Sequence, residues 1–263
     1  MGEIRYKPLI EGMTWSFSRI KAYEDCPYRW YLTYIRKKSE EDMFYASYGS
    51  FMHSLLAKFY SGEITRSEML SSYILDFRNS VKGVRPQPET ARKYVEAGAE
   101  YIRTFRPLEM EVLGVEKEVR FSIDGIPFIG IVDLVGRAED GIVLVDHKSR
   151  VVKPANPDSL RVTLNDTIRE GMMMQLYLYS AAVEQEYGEL PHTLALNCFR
   201  SGELVEERFS MEKYESTKRW AVQTVREIEE TEEFKANPDW YKCRWICGLN
   251  SHCVYSEPDR EGE

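Results

Sequence analysis

The sequence predicts an α/β protein in which helices flank a mixed central sheet, with a helical N-terminal part and a cysteine-bearing C-terminal segment. Residues 1–108 carry apolar residues at helical spacing, residues 109–231 combine strand-like runs with two long helical stretches, and residues 232–263 contain three cysteines. Strands followed by helices are typical of an α/β core. We therefore expect one domain over residues 1–263 that contains these three parts.

The N-terminal part is predicted to be helical because its apolar residues recur at intervals of three and four. Ser16 is a residue type that caps a helix, and Pro27 fits the first turn of the next helix. Pro107 ends the pattern, since proline cannot donate a helical hydrogen bond. The predicted helices are 16–25, 27 to about 38, Tyr45–Tyr60, Thr65–Val81 and Glu89–Arg106.

The middle of the chain is predicted to form strands before it returns to helices. Asp124-Gly125 is a strong hairpin signal between the first two apolar runs. A polar, proline-containing loop is expected at Val151–Thr167. In chain order we predict strands at Met110–Ile123, Ile126–Val135 and Gly141–Asp146, a helix at Arg169–Tyr187, strands at His192–Arg200 and Glu203–Phe209, and a charged helix at Met211–Glu230.

Composition limits the kinds of protein that this chain can be. With 263 residues and 43% hydrophobic content, it can bury one substantial core. It has no apolar run of membrane-spanning length, and its N-terminus lacks the apolar core of a secretory signal, so we expect a cytoplasmic protein without a membrane span. The net charge of −8 gives no overall attraction to a polyanion, so nucleic-acid binding would need a local basic groove.

Two short motifs carry the strongest chemical signal. Asp133 ends the run GIVD, and Asp146 opens DHKS thirteen positions later. Hairpin-connected strands can bring these carboxylates side by side, where a divalent cation such as Mg²⁺ or Mn²⁺ would satisfy them. Lys148 shares a strand face with Asp146, and this combination suits phosphodiester hydrolysis. The alternative is that the acids end strands in turns and that Lys148 is a solvated cation.

Several further motifs follow in one order along the chain. They are Ser16-x-Ser18-Arg19-Ile20…Tyr23-x-x-Cys26-Pro27, Gly49-x-x-x-His53, Gly130-x-x-Asp133, Asp146-x-Lys148 and Gln175-x-x-x-Tyr179. Together with the cysteines they span Ser16 to Cys253, and the ordered set resembles RecB-like nucleases of the PD-(D/E)XK superfamily. The resemblance implies a restriction-endonuclease-like core and a metal-dependent deoxyribonuclease. Val132 departs from the pattern, because it stands where the superfamily name has proline.

The resemblance also implies a role for each matched residue. Gln175 and Tyr179, one helical turn apart, would position the lysine or the DNA phosphates. Without the resemblance, His53 would be read as a core histidine, and Gln175 and Tyr179 as core packing. The implied metal ligands are His53, Asp133, Asp146 and the backbone carbonyl of His147, and Lys148 is the implied catalytic lysine.

Two nearby acids stay unassigned at this stage. Glu116 and Glu118 precede the hairpin, and one of them could bind metal or water. Their alternation with apolar residues equally suits a half-exposed strand, and we favour Glu116 only slightly.

Four of the five cysteines are predicted to form one site. Cys243, Cys247 and Cys253 lie within eleven residues, and they can converge with Cys26 only if the two ends of the chain meet. Four thiolates can hold an iron–sulfur cluster or zinc, whereas unpaired buried cysteines are the simpler alternative. Similarity to AddB-type nuclease domains and CRISPR-adaptation exonucleases favours a [4Fe–4S] cluster. Cys198 lies in an apolar run and is expected to be a small buried residue.

Aromatic residues near the predicted cysteine site allow two interpretations. Beside basic residues they could stack single-stranded DNA, or they could be ordinary packing. The aromatic residues are Tyr23, Tyr28, Trp30, Tyr31, Tyr34, Trp240, Tyr241 and Trp245.

The resemblance predicts an exonuclease that acts on single-stranded DNA or DNA ends. Its process would be recombination, repair, phage DNA metabolism or CRISPR adaptation, with a protein partner from recombination or CRISPR adaptation. The alternatives are a non-catalytic DNA-binding scaffold subunit and a structure-specific endonuclease.

Overall fold

A five-stranded mixed sheet forms the centre of the protein, which a computed structural model describes over residues 6–155 and 161–255. Its spatial order follows the chain, and β3 and β4 run parallel while the other neighbours are antiparallel. The strands are β1 (Glu111–Ile123), β2 (Ile126–Ala138), β3 (Gly141–Lys148), β4 (Thr193–Cys198) and β5 (Glu203–Arg208). The mixed sheet with its helices confirms the predicted fold class.

The turn between β1 and β2 sets the register of the hairpin. Asp124 has a φ of 50° and Gly125 a φ of 79°, as a two-residue hairpin turn with two left-handed residues requires. The register continues to Lys117 opposite Val132, and an irregularity near Gly114 breaks it further along. The predicted hairpin is therefore present, and its register fixes which residues face each other across the two strands.

The predicted helices are present with two larger boundary differences, and the structure adds two short helices, Lys7–Ile10 and Trp240–Trp245, that were not predicted. The helix predicted from Pro27 to about Lys38 ends at Trp30 and continues as a π-helical turn over Tyr31–Ile35. The helices are α1 (Lys7–Ile10), α2 (Phe17–Asp25), α3 (Pro27–Trp30), α4 (Phe44–Tyr60), α5 (Arg66–Ser80), α6 (Pro88–Thr104), α7 (Leu164–Tyr187), α8 (Met211–Glu230) and α9 (Trp240–Trp245).

The start of α7 lies inside the predicted polar loop. Thr163 and Asp166 form a capping box in which each side chain bonds the backbone N–H of the other. This reciprocal cap satisfies two backbone donors of the first turn, so the helix begins five residues before the predicted Arg169. Because α7 is the crossover between the parallel strands β3 and β4, its position fixes the helix face that reaches the sheet.

Helices cover both faces of the sheet. On one face α7 packs against β1, β3 and β4, α8 packs against α7, and α2 packs against α8. Leu144, Leu176 and Leu196 of this cluster are fully or almost fully buried. The helices α4, α5 and α6 form a separate apolar cluster that contacts the sheet through α4. His53 lies on α4, so this contact places that histidine beside β1 and β2.

Residues near the two ends of the described chain lie together. The N–H of Tyr28 donates to the carbonyl of Lys235 at 3.1 Å, and the N–H of Glu41 donates to the carbonyl of Gly248 at 2.7 Å. The region that carries Cys26 therefore contacts the segment that carries the other three predicted cysteine ligands. Within the described ranges, none of the helices has the length and apolar character that crossing a membrane requires.

Candidate active site

Carboxylates from three adjacent strands line one end of the sheet. Leu134 pairs with Val145, so the same register continued by one residue brings Asp133 opposite Asp146. On the other side, Val115 pairs with Leu134 and Lys117 with Val132, which leaves Glu116 opposite Asp133. The pairing of the two aspartates agrees with the sequence prediction, and Glu116 adds a third acid that was left unassigned.

His53 completes a group that could hold a cation. Its Nδ1 lies 3.4 Å from Oδ1 of Asp133 and 3.7 Å from Oε1 of Glu116. The ligand atoms of these three residues all lie within 4.8 Å of one another. Oxygen and imidazole donors are the ligands that Mn²⁺ and, with more oxygens, Mg²⁺ accept. The donor set therefore fits a divalent metal.

Glu116 adopts an unusual backbone conformation at this place. Its φ is 45°, in the left-handed region that non-glycine residues seldom occupy. Such strain is concentrated at functional sites, where the surrounding structure maintains it. Glu118, the other unassigned acid, instead forms an ion pair with Arg120 at 2.9 Å on the exposed part of the strand. The structure thus separates two acids that the sequence pattern treats alike.

The backbone of His147 holds the site together. Its N–H donates to Oδ2 of Asp133 at 2.7 Å, and its carbonyl oxygen lies 2.8 Å from Nε2 of His53. The ring points away into a buried network, where its Nδ1 lies 3.0 Å from the side-chain amide of Asn197. Burial lowers the pKa of His147 to about 3, so the ring is neutral. The backbone of His147, and not its ring, therefore faces His53 and Asp133.

Asp146 and Lys148 form the second half of the site. Oδ2 of Asp146 lies 2.5 Å from Nζ of Lys148, yet this buried oxygen makes no contact of hydrogen-bond geometry with any described residue. Lys148 donates instead to Oε1 of Gln175 at 2.9 Å. The Asp146 oxygen is therefore paired with Lys148 by charge. The predicted shared face of Asp146 and Lys148 is present.

Gln175 and Tyr179 lie at different depths. Gln175 borders the cleft and holds the lysine, whereas Tyr179 is 6% exposed and packs behind it against Gly130. A Cβ atom at Gly130 would lie 2.5 Å from the Tyr179 ring, so only glycine fits at that position. By contrast, a Cβ at Gly49 would meet nothing within 4 Å, and that glycine faces the open cleft.

Electrostatic coupling sets the protonation of the cluster. Burial raises the pKa of Asp146 to about 6, and the charge of Lys148 opposes the rise. Burial would lower the pKa of His53, but hydrogen bonds to Asp133 and Glu116 and the charges of Asp133 and Asp146 raise it to about 10. Burial would raise the pKa of Asp133, but the hydrogen bond and charge of His53 outweigh burial, so the pKa of Asp133 lies below its ordinary value. The metal-free site therefore holds a protonated imidazole between two carboxylates.

These groups open into a cleft of about 840 Å³. One wall is helix α4, with Tyr45, Gly49 and Lys58, and the floor is the acidic end of the sheet. Lys58 and Lys148 line the cleft beside the acids Glu63, Glu116, Asp133 and Asp146, so a phosphate would need a bound cation to offset the carboxylates.

The four predicted cysteine ligands lie in the region where the chain ends meet. Cys26, Cys243, Cys247 and Cys253 are half-buried and form no disulfide with a described residue. Burial raises the pKa of Cys247, and the charges of Cys243 and Cys26 add to the rise. Burial, followed by the charge of Cys253, raises the pKa of Tyr28, two residues after Cys26. Cys198 is completely buried in β4, as predicted.

The aromatic residues of this region divide into two groups. Trp30 is fully buried, and its ring contacts Tyr23, Tyr34 and Phe234, which is ordinary packing. Trp240 is 76% exposed and lies outside that cluster. Of the two interpretations of these residues, packing therefore holds for Trp30 and its neighbours.

Comparisons with known proteins agree with this geometry. A crystal structure of a proposed exonuclease from Eubacterium rectale is similar to this chain with a TM-score of 0.52 and 13% identity over 96% of this chain and 91% of that chain, which supports the fold alone. The structure of SSO0001, at 13% identity over 92% of this chain and 96% of that chain, has a TM-score of 0.31, too low to carry an argument. No curated protein matches. A family model of the PD-(D/E)XK nuclease superfamily matches residues 14–254, so the chain belongs to that superfamily.

Proposed function

We propose that this protein is a metal-dependent deoxyribonuclease that hydrolyses phosphodiester bonds in single-stranded DNA or at DNA ends. The observation that carries the proposal is the convergence of His53, three carboxylates and Lys148 on one open cleft. Membership of a nuclease superfamily supports phosphodiester hydrolysis as the reaction.

The proposed metal ligands are His53, Glu116, Asp133, Asp146 and the carbonyl of His147. Mg²⁺ or Mn²⁺ bound there would polarise a phosphoryl oxygen and lower the pKa of bound water. Gln175 holds the ammonium of Lys148 beside Asp146, where it can donate to a phosphate oxygen and balance developing negative charge. Tyr179 supports Gln175 from behind and is a positioning residue.

The exonuclease assignment rests on weaker support. A structure of similar fold is a proposed exonuclease, and the sequence resembles nucleases of recombination, repair, phage DNA metabolism and CRISPR adaptation. A partner protein from recombination or CRISPR adaptation follows from the same resemblance. An endonuclease would use the same chemical groups and would differ in where the DNA strand enters the cleft.

We further propose that Cys26, Cys243, Cys247 and Cys253 hold a [4Fe–4S] cluster. Zinc held by the same four thiolates is the alternative. Burial raises the pKa of Cys247, and the charge of Arg29 opposes this rise; the buried Nε of Arg29 makes no hydrogen bond with a described residue. Arg29 also pairs with Glu40 at 3.2 Å, and thiolates of the proposed cluster would add to the negative charge around it.

The test of the nuclease proposal is degradation of end-labelled single-stranded and duplex DNA by anaerobically purified protein with Mn²⁺, Mg²⁺ or EDTA. Asp146→Asn and Lys148→Met variants remove the charge of each group with little change in shape. Asp140→Asn, an exposed acid in the turn before β3, is the matched control. We expect metal-dependent cleavage that both site variants lose and the control keeps.

The products distinguish the remaining alternatives. Mononucleotides or short oligonucleotides released from a labelled end indicate an exonuclease, whereas cleavage of circular single-stranded DNA indicates an endonuclease. DNA binding without cleavage under every metal condition would refute the nuclease proposal and favour a scaffold subunit.

A further inference from the structure

A row of aromatic rings extends from the catalytic cleft to the C-terminal segment. We call Tyr45, Tyr94, Tyr241 and Trp240 the aromatic row. Tyr45 lines the cleft, and its ring centroid lies 5.2 Å from that of Tyr94 and 6.5 Å from that of Tyr241. The Tyr241 ring lies 6.4 Å from that of Trp240, and the hydroxyls of Tyr45 and Tyr241 lie 3.2 Å apart. The row is therefore continuous with the proposed site of hydrolysis.

The outer rings of the row are in contact with solvent. Trp240 is 76% exposed and Tyr241 is 47% exposed. Both lie on α9, and none of the residues of this helix is buried. Leaving large aromatic surfaces in water forgoes the favourable free energy of burying them. Adjacent exposed rings next to a functional cleft mark a binding surface more often than isolated apolar residues do.

Two arginines accompany the row. The guanidinium of Arg200 lies over the Tyr94 ring, 4.6 Å from its centroid, and donates to the Tyr94 hydroxyl. Arg150, two residues after Lys148, is exposed and makes no hydrogen bond or ion pair within the part of the chain that the structure describes. Burial raises the pKa of Tyr94, and the charges of Arg200 and Arg150 oppose this rise, which places both cations near the row.

We infer that the aromatic row, with Arg150 and Arg200, is a stacking site for unpaired bases of single-stranded DNA that leads into the catalytic cleft. Bases inside a duplex have both faces covered by neighbouring bases. Adjacent exposed rings can therefore stack on successive bases only where the strand is unpaired. Cations beside the rings suit the phosphates that connect those bases. The inference rests on the proposed nuclease function and deepens it by naming single strands as the preferred substrate.

The inference also gives α9 a second role. Tyr241 lies two residues before Cys243 on that helix, so the segment that carries the predicted cysteine ligands also carries part of the strand-binding surface. Binding of the proposed cluster and binding of the DNA strand would then both depend on the position of α9.

The test measures binding of labelled oligothymidylate by fluorescence anisotropy in EDTA, which separates binding from cleavage. Tyr241→Ala and Trp240→Ala should each weaken binding about 5- to 150-fold, the range for one base stacked on an aromatic ring. Tyr241→Phe keeps the ring and should stay within about twofold of the wild type. Tyr255→Ala is the control, because Tyr255 is 51% exposed in the same segment but contacts Tyr28 instead of the row.

A backbone-matched abasic oligonucleotide separates stacking from phosphate contacts. The wild type should bind it more weakly than oligothymidylate, and Tyr241→Ala should cause no additional loss. The stacking site would be overturned if Tyr241→Ala lost the same fraction of its affinity for the abasic oligonucleotide as for oligothymidylate. It would also be overturned if Tyr241→Ala bound oligothymidylate as tightly as the wild type does. Tighter binding of oligouridylate than of oligothymidylate would overturn the commitment to DNA.

Cleavage assays keep this inference distinct from the proposed function. If the wild type cleaves single strands and Tyr241→Ala cleaves them with an unchanged KM, the stacking site is wrong and the nuclease stands. If the wild type binds single strands through the row but cleaves no DNA with any metal, the nuclease proposal fails and the binding surface remains.

Discussion

The catalytic cleft and the cysteine region present their functional groups in different ways. In the cleft, Asp133 and Asp146 are 8% and 4% exposed and lie on neighbouring strands of one hydrogen-bonded sheet. In the cysteine region, Cys26 lies between two short helices, and Cys243 lies on the six-residue helix α9. All four predicted thiol ligands are half-buried.

This difference concerns what holds each site in place. A sheet register is fixed along the whole strand, so the carboxylates stay together without an ion. Short helices are marginal by themselves, and ligands on them depend on the bound group to stay in place. We therefore expect the cleft to be preformed and the cysteine region to be ordered by its cofactor.

The largest expected effect separates the two acids that precede the hairpin. Glu116→Gln should lower cleavage about 10- to 100-fold, because it removes a charge from the metal group. Glu118→Gln, two residues away on the same strand, should stay within about twofold. Single-turnover rates with Mn²⁺ would measure both. Equal rates for the two variants would show that Glu116 has no part in the site.

Loss of a cysteine should affect order more than chemistry. Cys247→Ala should abolish iron binding and make residues 232–255 about tenfold more sensitive to limited proteolysis, while the sheet core stays resistant. Cys198→Ala should retain its iron, since Cys198 is buried in β4 away from the segment. Iron analysis and mass spectrometry of the fragments would check this. Unchanged proteolysis in Cys247→Ala would contradict a cofactor-ordered region.

Proton release should accompany metal binding in the cleft. The pKa of His53 is about 10 in the metal-free site, so a metal must displace a proton from its ring. The affinity for Mn²⁺ should therefore rise up to about tenfold for each pH unit between pH 7 and 9. Titration calorimetry in buffers of different ionisation enthalpy would count the proton. An affinity independent of pH in this window would contradict the ion pair.

The same shift fixes the sign of a stability effect without metal. Because the folded pKa of His53 lies above its ordinary value of 6.5, the pairing stabilises the metal-free fold fully below pH 6.5. That stabilisation is lost as the pH rises toward about 10. In thermal unfolding experiments, the melting temperature of Glu116→Gln should fall less than that of the wild type as the pH rises through this range.

Two glycines offer the smallest and most local test. Gly130→Ala forces the Tyr179 ring to move and should destabilise the protein by about 1–3 kcal/mol. Gly171→Ala on α7, where a Cβ meets nothing within 4 Å, should stabilise it by about 0.5–1 kcal/mol. Denaturant unfolding would compare them. A neutral Gly130→Ala would mean that the support behind Gln175 adapts easily.

Much of the cleft could be predicted because local signals fix its register. The Asp124-Gly125 turn determines which residues face each other, and counting back from it places Glu116, and not Glu118, opposite Asp133. That count was available in the sequence, whereas the left-handed backbone of Glu116 was not, because it follows from packing around the strand.

The errors at helix boundaries have two different origins. Thr163 and Asp166 are spaced as a capping box, so the early start of α7 could have been found. The π-helical turn after Trp30 has no comparable local signal, since its geometry depends on aromatic packing of Tyr31 against Phe234 and other rings. The exposed aromatic row likewise requires contacts between residues that are distant in sequence.

The contact between the chain ends has a consequence for synthesis. The N–H of Asn237 donates to the sulfur of Cys26 across a sequence separation of 211 residues. At about 5–20 residues per second, a ribosome needs roughly 10–40 seconds to make the intervening chain. During that time the thiol of Cys26 has no partner from the C-terminal segment, so assembly of the proposed cluster must follow synthesis of that segment.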